Sequence, residues 1–258
     1  MPTAAFTGYI DVAQVALYAF WLFFAGLIFY LRSEDKREGY PLESERSPNV
    51  RVEGFPPIPK PKRFILPHGG SVLAPRAEAS VAVDAKAIGN WPGAPLDPGE
   101  TPMLSGIGPG AYAGRADIPD AMYDTGAPKL VPLRADHEHS LANEDADPRG
   151  MKVLGADGKV AGTVSDVWVD RTEMIVRYLE VAVPLGDSAH YVLVPMPLAM
   201  INGDRREVRV DAVKAEHFIT APGLANPEQV TLLEEDRISA YFGGGTLYAD
   251  PSRMEPLI

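Results

Sequence analysis

The sequence predicts an α+β membrane protein: one N-terminal transmembrane helix, an extended irregular segment, and a mainly antiparallel β domain that carries a C-terminal helix. Three observations lead there. Val12 to Leu31 is a run of twenty residues without a formal charge. Glu78 to Gly126 is rich in Ala, Pro and Gly and has weak periodicity. From Met151 to Val213, apolar and polar residues alternate densely between turn-forming separators.

The first run, VAQVALYAFWLFFAGLIFYL, is about 30 Å long as an α-helix, which matches the hydrocarbon core of a bilayer. Gln14, near one end, is its only strongly polar side chain. No Lys or Arg precedes Arg32, whereas Arg32, Lys36 and Arg37 follow closely. By the positive-inside rule, residues 1–11 face outward, 12–31 span the membrane and the remainder is cytoplasmic. Tyr9 and Tyr30 fall where aromatic rings favour the two interfaces. A cleaved signal peptide would need a basic first region, a shorter apolar core and a small-x-small site, and the sequence offers none of these. The expectation is an uncleaved anchor whose basic cluster, Arg32 to Arg37, meets lipid headgroups. Tyr40 is expected to anchor the interface between the membrane and cytoplasmic parts.

Residues 32–128 read as a tether and irregular surface segment. Glu34 to Arg37 continue the helix for a turn before Gly39 and Pro41 stop it. Gly54 to Lys62, GFPPIPKPK, is extended and close to polyproline II, either as a free linker or laid against a partner. Arg63 to Pro75 predicts a small hairpin around Gly69-Gly70. Glu78 to Gly126 looks coreless, and so long a loop implies that other chains supply its contacts.

Residues 129–258 form the β domain. Its strands are separated by Ala156-Asp157-Gly158, Leu185-Gly186-Asp187 and Asn202-Gly203-Asp204, all good turn formers. Five or six short strands at this spacing argue a small barrel or sandwich. A helix is expected near 227–243, with Val230, Leu233, Ile238, Tyr241 and Phe242 on one face and Gly243 to Gly245 ending it.

Composition narrows the chemistry. With 24 basic and 35 acidic residues the net charge is −11, so nucleic acid has no basic footprint to bind. The chain has no Cys, which excludes disulfides, thiolate catalysis and Cys-held haem, zinc or iron–sulfur groups. No nucleophile elbow or metal-ligand set marks a hydrolase, and the triple glycine lacks the Lys and Ser/Thr of a phosphate loop.

REGYPLE (37–43), FILPHGG (64–70), GIGPGAY (106–112), DPRGM (147–151), VAGTVSDVWVDRTE (160–173), RYLEV (177–181) and VTLLEEDRISAYFGGGTLYA (230–249) occur in one order along the chain. Together they resemble the H subunit family of the purple-bacterial photosynthetic reaction centre, and the β domain resembles the wider PRC-barrel family. The resemblance implies a non-catalytic, single-span subunit that caps the cytoplasmic face of the L and M subunits. It implies no cofactor bound by this chain alone, within a complex holding bacteriochlorophyll, bacteriopheophytin, quinones and non-haem iron. A cytochrome, a core light-harvesting antenna and membrane lipids are further implied partners. The alternative is a membrane-tethered PRC-barrel adaptor unrelated to photochemistry.

In that family the subunit helps carry protons to the secondary quinone. A buried quinone needs a relay of titratable groups, and carboxylates serve when burial and like charge raise their pKa. Asp170 and Glu173 match positions where the family carries acids at the inner end of the path, and Arg177 is spaced to pair with Glu173. The other reading of these three is a solvated turn. The resemblance places proton uptake near Asp124, but the Asp and two His residues of the family are here reduced to Asp117, Asp120 and Asp124 without His. His137 and His139, with Asp136, are the nearest substitutes for surface proton uptake or metal binding, set against a solvated acidic loop. His68 is expected to make a structural hydrogen bond.

Overall fold

The computed structural model of this chain describes residues 5–7, 10–44, 47–67, 69–76, 83–91 and 93–254. Contacts divide it into two units, Met1–Ala77 with Asn90–Ala94, and Glu78–Gly89 with Pro95–Ile258. Tyr9 and His68 lie outside the described residues.

In the first unit, helix α1 spans Val12–Asp35. Gln14 is explained by its start: the Gln14 N–H donates to Asp11 Oδ1 at 2.8 Å, and Gln14 Oε1 accepts from the Asp11 N–H at 3.3 Å. This reciprocal cap satisfies donors that have no helical partner. None of the helix residues in the apolar run is buried by the chain itself, and Leu22 is 78% exposed. Such a surface is suited to lipid or to neighbouring spans.

Lys36 caps the C-terminal end and is 1% exposed. Its Nζ donates to the carbonyls of Glu53 and Pro56 at 2.6 Å each and lies 5.1 Å from the centre of the Tyr40 ring. The proline-rich segment is therefore fastened at its start to the end of the helix, and is not a free linker there. The hairpin expected after it is present, as the antiparallel pair Lys62–Ile65 and Ser71–Ala74. A second pair joins Leu42–Ser44 to Ser47–Val52.

The second unit is built on one sheet of seven strands. They are β1 Leu130–Pro132, β2 Lys152–Gly155, β3 Val160–Asp170, β4 Ile175–Leu185, β5 Ser188–Pro195, β6 Met200–Asn202 and β7 Glu207–Val210. The order is β5-β4-β3-β2-β7-β6, with β1 on the end of β3 that β2 leaves free. Every pair is antiparallel except β2 with β7. The register of β3 on β4 shifts twice, between Val164 and Asp166 and between Trp168 and Val169. Such bulges bend and twist a strand. Val153, Val167, Trp168, Leu179, Val181, Val192, Val194 and Val208 are completely buried in the resulting core.

Helix α2, Leu232–Tyr248, adds Ile238, Tyr241 and Phe242 to that core. Two expectations need correction here. The helix begins later than 227, because Thr231 caps it: the Glu234 N–H donates to Thr231 Oγ1 at 3.1 Å and Glu234 Oε2 accepts from the Thr231 N–H at 2.9 Å. It also runs straight through Gly243 to Gly245 instead of ending there. These glycines answer to packing, since a Cβ on Gly245 would sit 2.3 Å from Val213 Cγ1 and one on Gly244 would sit 3.2 Å from Gly110 Cα. Nor is the stretch from Glu78 to Gly126 coreless. Met103, Ser105, Ile107 and Gly110 are buried, and the Met103–Gly110 segment packs on the glycine face of α2.

Candidate functional site

The β3–β4 turn positions the acidic residues singled out in the sequence. Asp170 ends β3, and its Oδ1 accepts from the backbone N–H groups of Thr172 at 2.9 Å and Glu173 at 3.0 Å. The Met174 N–H closes the turn on the Asp170 carbonyl at 2.8 Å. The side chain of Asp170 is 3% exposed, and that of Glu173 is 49% exposed.

Arg177 is where its spacing put it, with Nε 3.4 Å from Asp170 Oδ2 and Nη2 3.8 Å from Glu173 Oε2. A fourth member escaped the sequence reading. Lys129 Nζ lies 3.3 Å from Asp170 Oδ2 and 3.8 Å from Glu173 Oε1. It arrives because β1 pairs Leu130 with Asp170. Two cations thus straddle two carboxylates, one sheltered and one open.

The electrostatics separate those carboxylates. Burial pushes the pKa of Asp170 up, but the N–H groups of Glu173 and Thr172 together with Lys129 outweigh it and hold it below the ordinary carboxylate value. Asp170 is consequently a fixed anion, not the neutral-range acid that the sequence argument sought. Glu173 is held by longer contacts in a wetter place, where pairs are weak.

Asp124 stands apart from this cluster. It is exposed in a small hairpin closed by Ala121 and Pro128, with its Oδ1 accepting from the Thr125 N–H at 2.9 Å. The same hairpin leads into Lys129, whose N–H donates to the Asp120 carbonyl at 2.8 Å.

His139 and Asp136 come together, with Nδ1 2.9 Å from Asp136 Oδ2, while His137 is exposed. Arg171 Nε donates to the same Oδ2 at 3.2 Å. Burial raises the pKa of Asp136, but the Glu138 N–H, Arg171 and His139 more than reverse it. Among the described residues no group of three or more His, Cys, Asp or Glu side chains converges in a way that would hold a metal ion. Through Arg171, however, this pair abuts the turn that carries Asp170 and Glu173.

Arg32, Arg37 and Tyr40, expected at the membrane interface, gather at the C-terminal end of α1 in the first unit. Arg32 Nη2 donates to the Tyr40 hydroxyl at 3.1 Å. Arg37 makes a two-pronged pair with Glu34, Nε to Oε2 and Nη2 to Oε1 at 2.9 Å each, and also donates to the Lys60 carbonyl.

A network joining two buried carboxylates of the sheet to an exposed arginine was also missed. Arg134 Nη1 reaches Asp166 Oδ2 at 3.1 Å and Glu180 Oε2 at 2.9 Å. Ser165 Oγ and Trp168 Nε1 complete the Glu180 carboxylate at 2.7 and 3.0 Å. With every oxygen of Glu180 engaged, the network reads as a structural clamp that satisfies charges inside the β domain. No short-range motif marks it, since its members come from a loop and two paired strands.

An exposed apolar helix of spanning length joined to a small β domain is the build of a membrane-anchored protein. Residues 4–135 match the model of the photosynthetic reaction centre H-chain N-terminal region, and residues 142–217 match that of the PRC-barrel domain. The chain belongs to the reaction centre H-chain family. As such it is a pigment-free accessory subunit of a cofactor-bearing complex and associates with L and M subunits.

Proposed function

We propose that this chain caps the cytoplasmic side of the L and M subunits and assists proton delivery to the secondary quinone during light-driven cyclic electron transport. The observation that carries the proton role is the pairing of a fixed anion, Asp170, with an open carboxylate, Glu173, between Lys129 and Arg177. The two cations and the Asp170 charge set the local field, while Glu173, half exposed and held only by contacts of 3.8 Å, presents its oxygens to water. Asp170 and Arg177 act as positioning residues for it.

Protons reach this turn by one of two surface groups. Asp124 sits on the hairpin that runs into Lys129, and the His139–Asp136 pair touches Arg171 next to Asp170. Arg32, Arg37 and Tyr40 secure the joint between anchor and tether at the headgroup level, where lipids and the spans of L and M lie. Bacteriochlorophyll, bacteriopheophytin, quinones and non-haem iron belong to those partner chains in this reading, and a cytochrome and a core antenna join through the complex.

The test is flash-induced kinetics in reaction centres carrying Glu173→Gln. The proton-coupled second electron transfer to the secondary quinone is expected to slow about tenfold or more between pH 6 and 9, up to the roughly 10²–10⁴-fold of general acid–base catalysis by one carboxylate. Unchanged kinetics across that range would remove Glu173 from the path.

A further inference from the structure

The sheltered carboxylate of the turn cluster, Asp170, is held by two cations and two backbone N–H groups. A partly buried carboxylate with a hydroxyl partner instead lies on the neighbouring helix. Glu235 lies in the first turn of α2, and its Oε2 accepts from the Tyr178 hydroxyl at 3.1 Å. Tyr178 is 7% exposed. Among the described residues no Lys, Arg or His nitrogen comes within ion-pair distance of Glu235, in contrast to Asp170, Asp166 and Glu180. Its helix neighbours are occupied elsewhere: Glu234 accepts from the N–H groups of Ala225 and Thr231, and Asp236 pairs with Arg115 at 3.5 Å.

A cavity of about 380 Å³ opens between this carboxylate's partner, Tyr178, and Arg177 of the turn cluster. It is lined by Tyr178, by Ser239 one turn along α2 from Glu235, and by Arg177, with Ile175, Pro195 and Met196 closing its apolar sides. At about 30 Å³ per molecule it has room for several waters, and Tyr178, Ser239 and Arg177 offer them polar partners. Arg177 on its far side contacts both Asp170 and Glu173.

We propose that Glu235, hydrogen-bonded to Tyr178, is a second proton-binding site that exchanges protons with the Asp170–Glu173 cluster through this cavity. The inference rests on the proton role proposed above. The groups facing Glu235 are Tyr178 and Arg177 from β4, and Arg115 and Asp120 from the loop before β1. Burial raises its pKa, the Tyr178 hydrogen bond and the two arginines oppose this, Asp120 adds to it, and the balance stays above the ordinary value. The step is proton transfer alone. An Oε–H bond of Glu235 breaks as an O–H bond forms on the Tyr178 oxygen, whose own proton passes to a cavity water and on toward Glu173, and no electrons move.

The experiment compares intact reaction centres by infrared difference spectroscopy and by light-induced proton uptake, in wild type, Glu235→Gln, Glu235→Asp and Tyr178→Phe. In wild type, a protonated-carboxyl C=O band that titrates above the ordinary Glu range is expected, lost in Glu235→Gln and restored but shifted in Glu235→Asp. Proton uptake should slow about three- to tenfold in Glu235→Gln, less than for a group in direct acid–base contact with the quinone path. Tyr178→Phe should keep the band and slow its exchange. If no band is lost in Glu235→Gln, the site does not exist. If the band is lost with uptake rates unchanged, the exchange route is wrong. If Glu173→Gln leaves kinetics unaltered while the Glu235 band persists, the proposed function fails and the proton-binding site stands.

Discussion

Asp170 shows how one side chain can be committed by its surroundings. Its two backbone donors, Thr172 and Glu173, are local consequences of the turn, whereas Lys129 depends on strand pairing. A carboxylate held below its ordinary pKa stabilises the fold at pH above that ordinary value, and the contribution is lost as pH falls through the depressed value. Asp170→Asn is therefore expected to cost about 2 kcal/mol at pH 7, the scale of charge-assisted hydrogen bonds. The gap between variant and wild type should close as pH drops below about 4. Denaturant unfolding of the detergent-solubilised chain across pH 3 to 8 measures it. A gap that stays constant over that range would mean the Asp170 charge is not what the turn depends on. The same residue marks the limit of sequence reading at this scale. Asp170, Glu173 and Arg177 were legible because they are close in the chain. Lys129, and the Arg134–Asp166–Glu180 clamp, were not, because register and bulges decide which distant side chains share a face.

At the scale of elements, α1 and the sheet were readable because each has a strong periodic signal: an uninterrupted apolar run in one case, dense alternation in the other. Helix α2 was readable only in part. Gly243 to Gly245 looked like a stop, since glycine is a poor helix former and a common helix terminator. The tertiary contacts override that preference, because the helix is pressed between the Met103–Gly110 segment and the Ala212 backbone with the Val213 side chain. Gly245→Ala separates the two effects. Propensity alone favours Ala by about 1 kcal/mol. The new Cβ would stand 2.3 Å from Val213 Cγ1 and 2.7 Å from the Ala212 carbonyl oxygen, one of them backbone that cannot rotate away. Overpacking of this kind costs about 1–3 kcal/mol, so a net loss of stability and a lower Tm are expected. Gly243→Ala meets only the Pro109 oxygen at 3.1 Å and should change Tm far less. Equal melting temperatures for the two variants would contradict the seating of α2. The irregular stretch from Glu78 to Gly126 failed to declare its core for a related reason: Met103 and Gly110 lie against a helix far along the chain, which no local pattern records.

At the scale of the whole molecule, anchor orientation and proton function depend on each other. In the proposed function, protons for a quinone on the cytoplasmic side come from that side, which requires the β domain with Glu173 and Glu235 to lie there. The positive-inside rule predicts this orientation from one asymmetry: no Lys or Arg before the span, and Arg32, Lys36 and Arg37 directly after it. Positive charge near the ends of a span is retained on the cytoplasmic side, while the overall acidic balance of −11 has little influence. The absence of Cys makes the prediction simple to check, because any introduced thiol is the only one in the chain. Thr3→Cys marks the residues before the span, and Lys159→Cys marks the β domain at a side chain that is 80% exposed. A membrane-impermeant maleimide should label Thr3→Cys in right-side-out membranes and Lys159→Cys only in inverted vesicles. The opposite pattern would put the β domain on the wrong side for proton delivery, and the proton-transfer reading would fall with the topology.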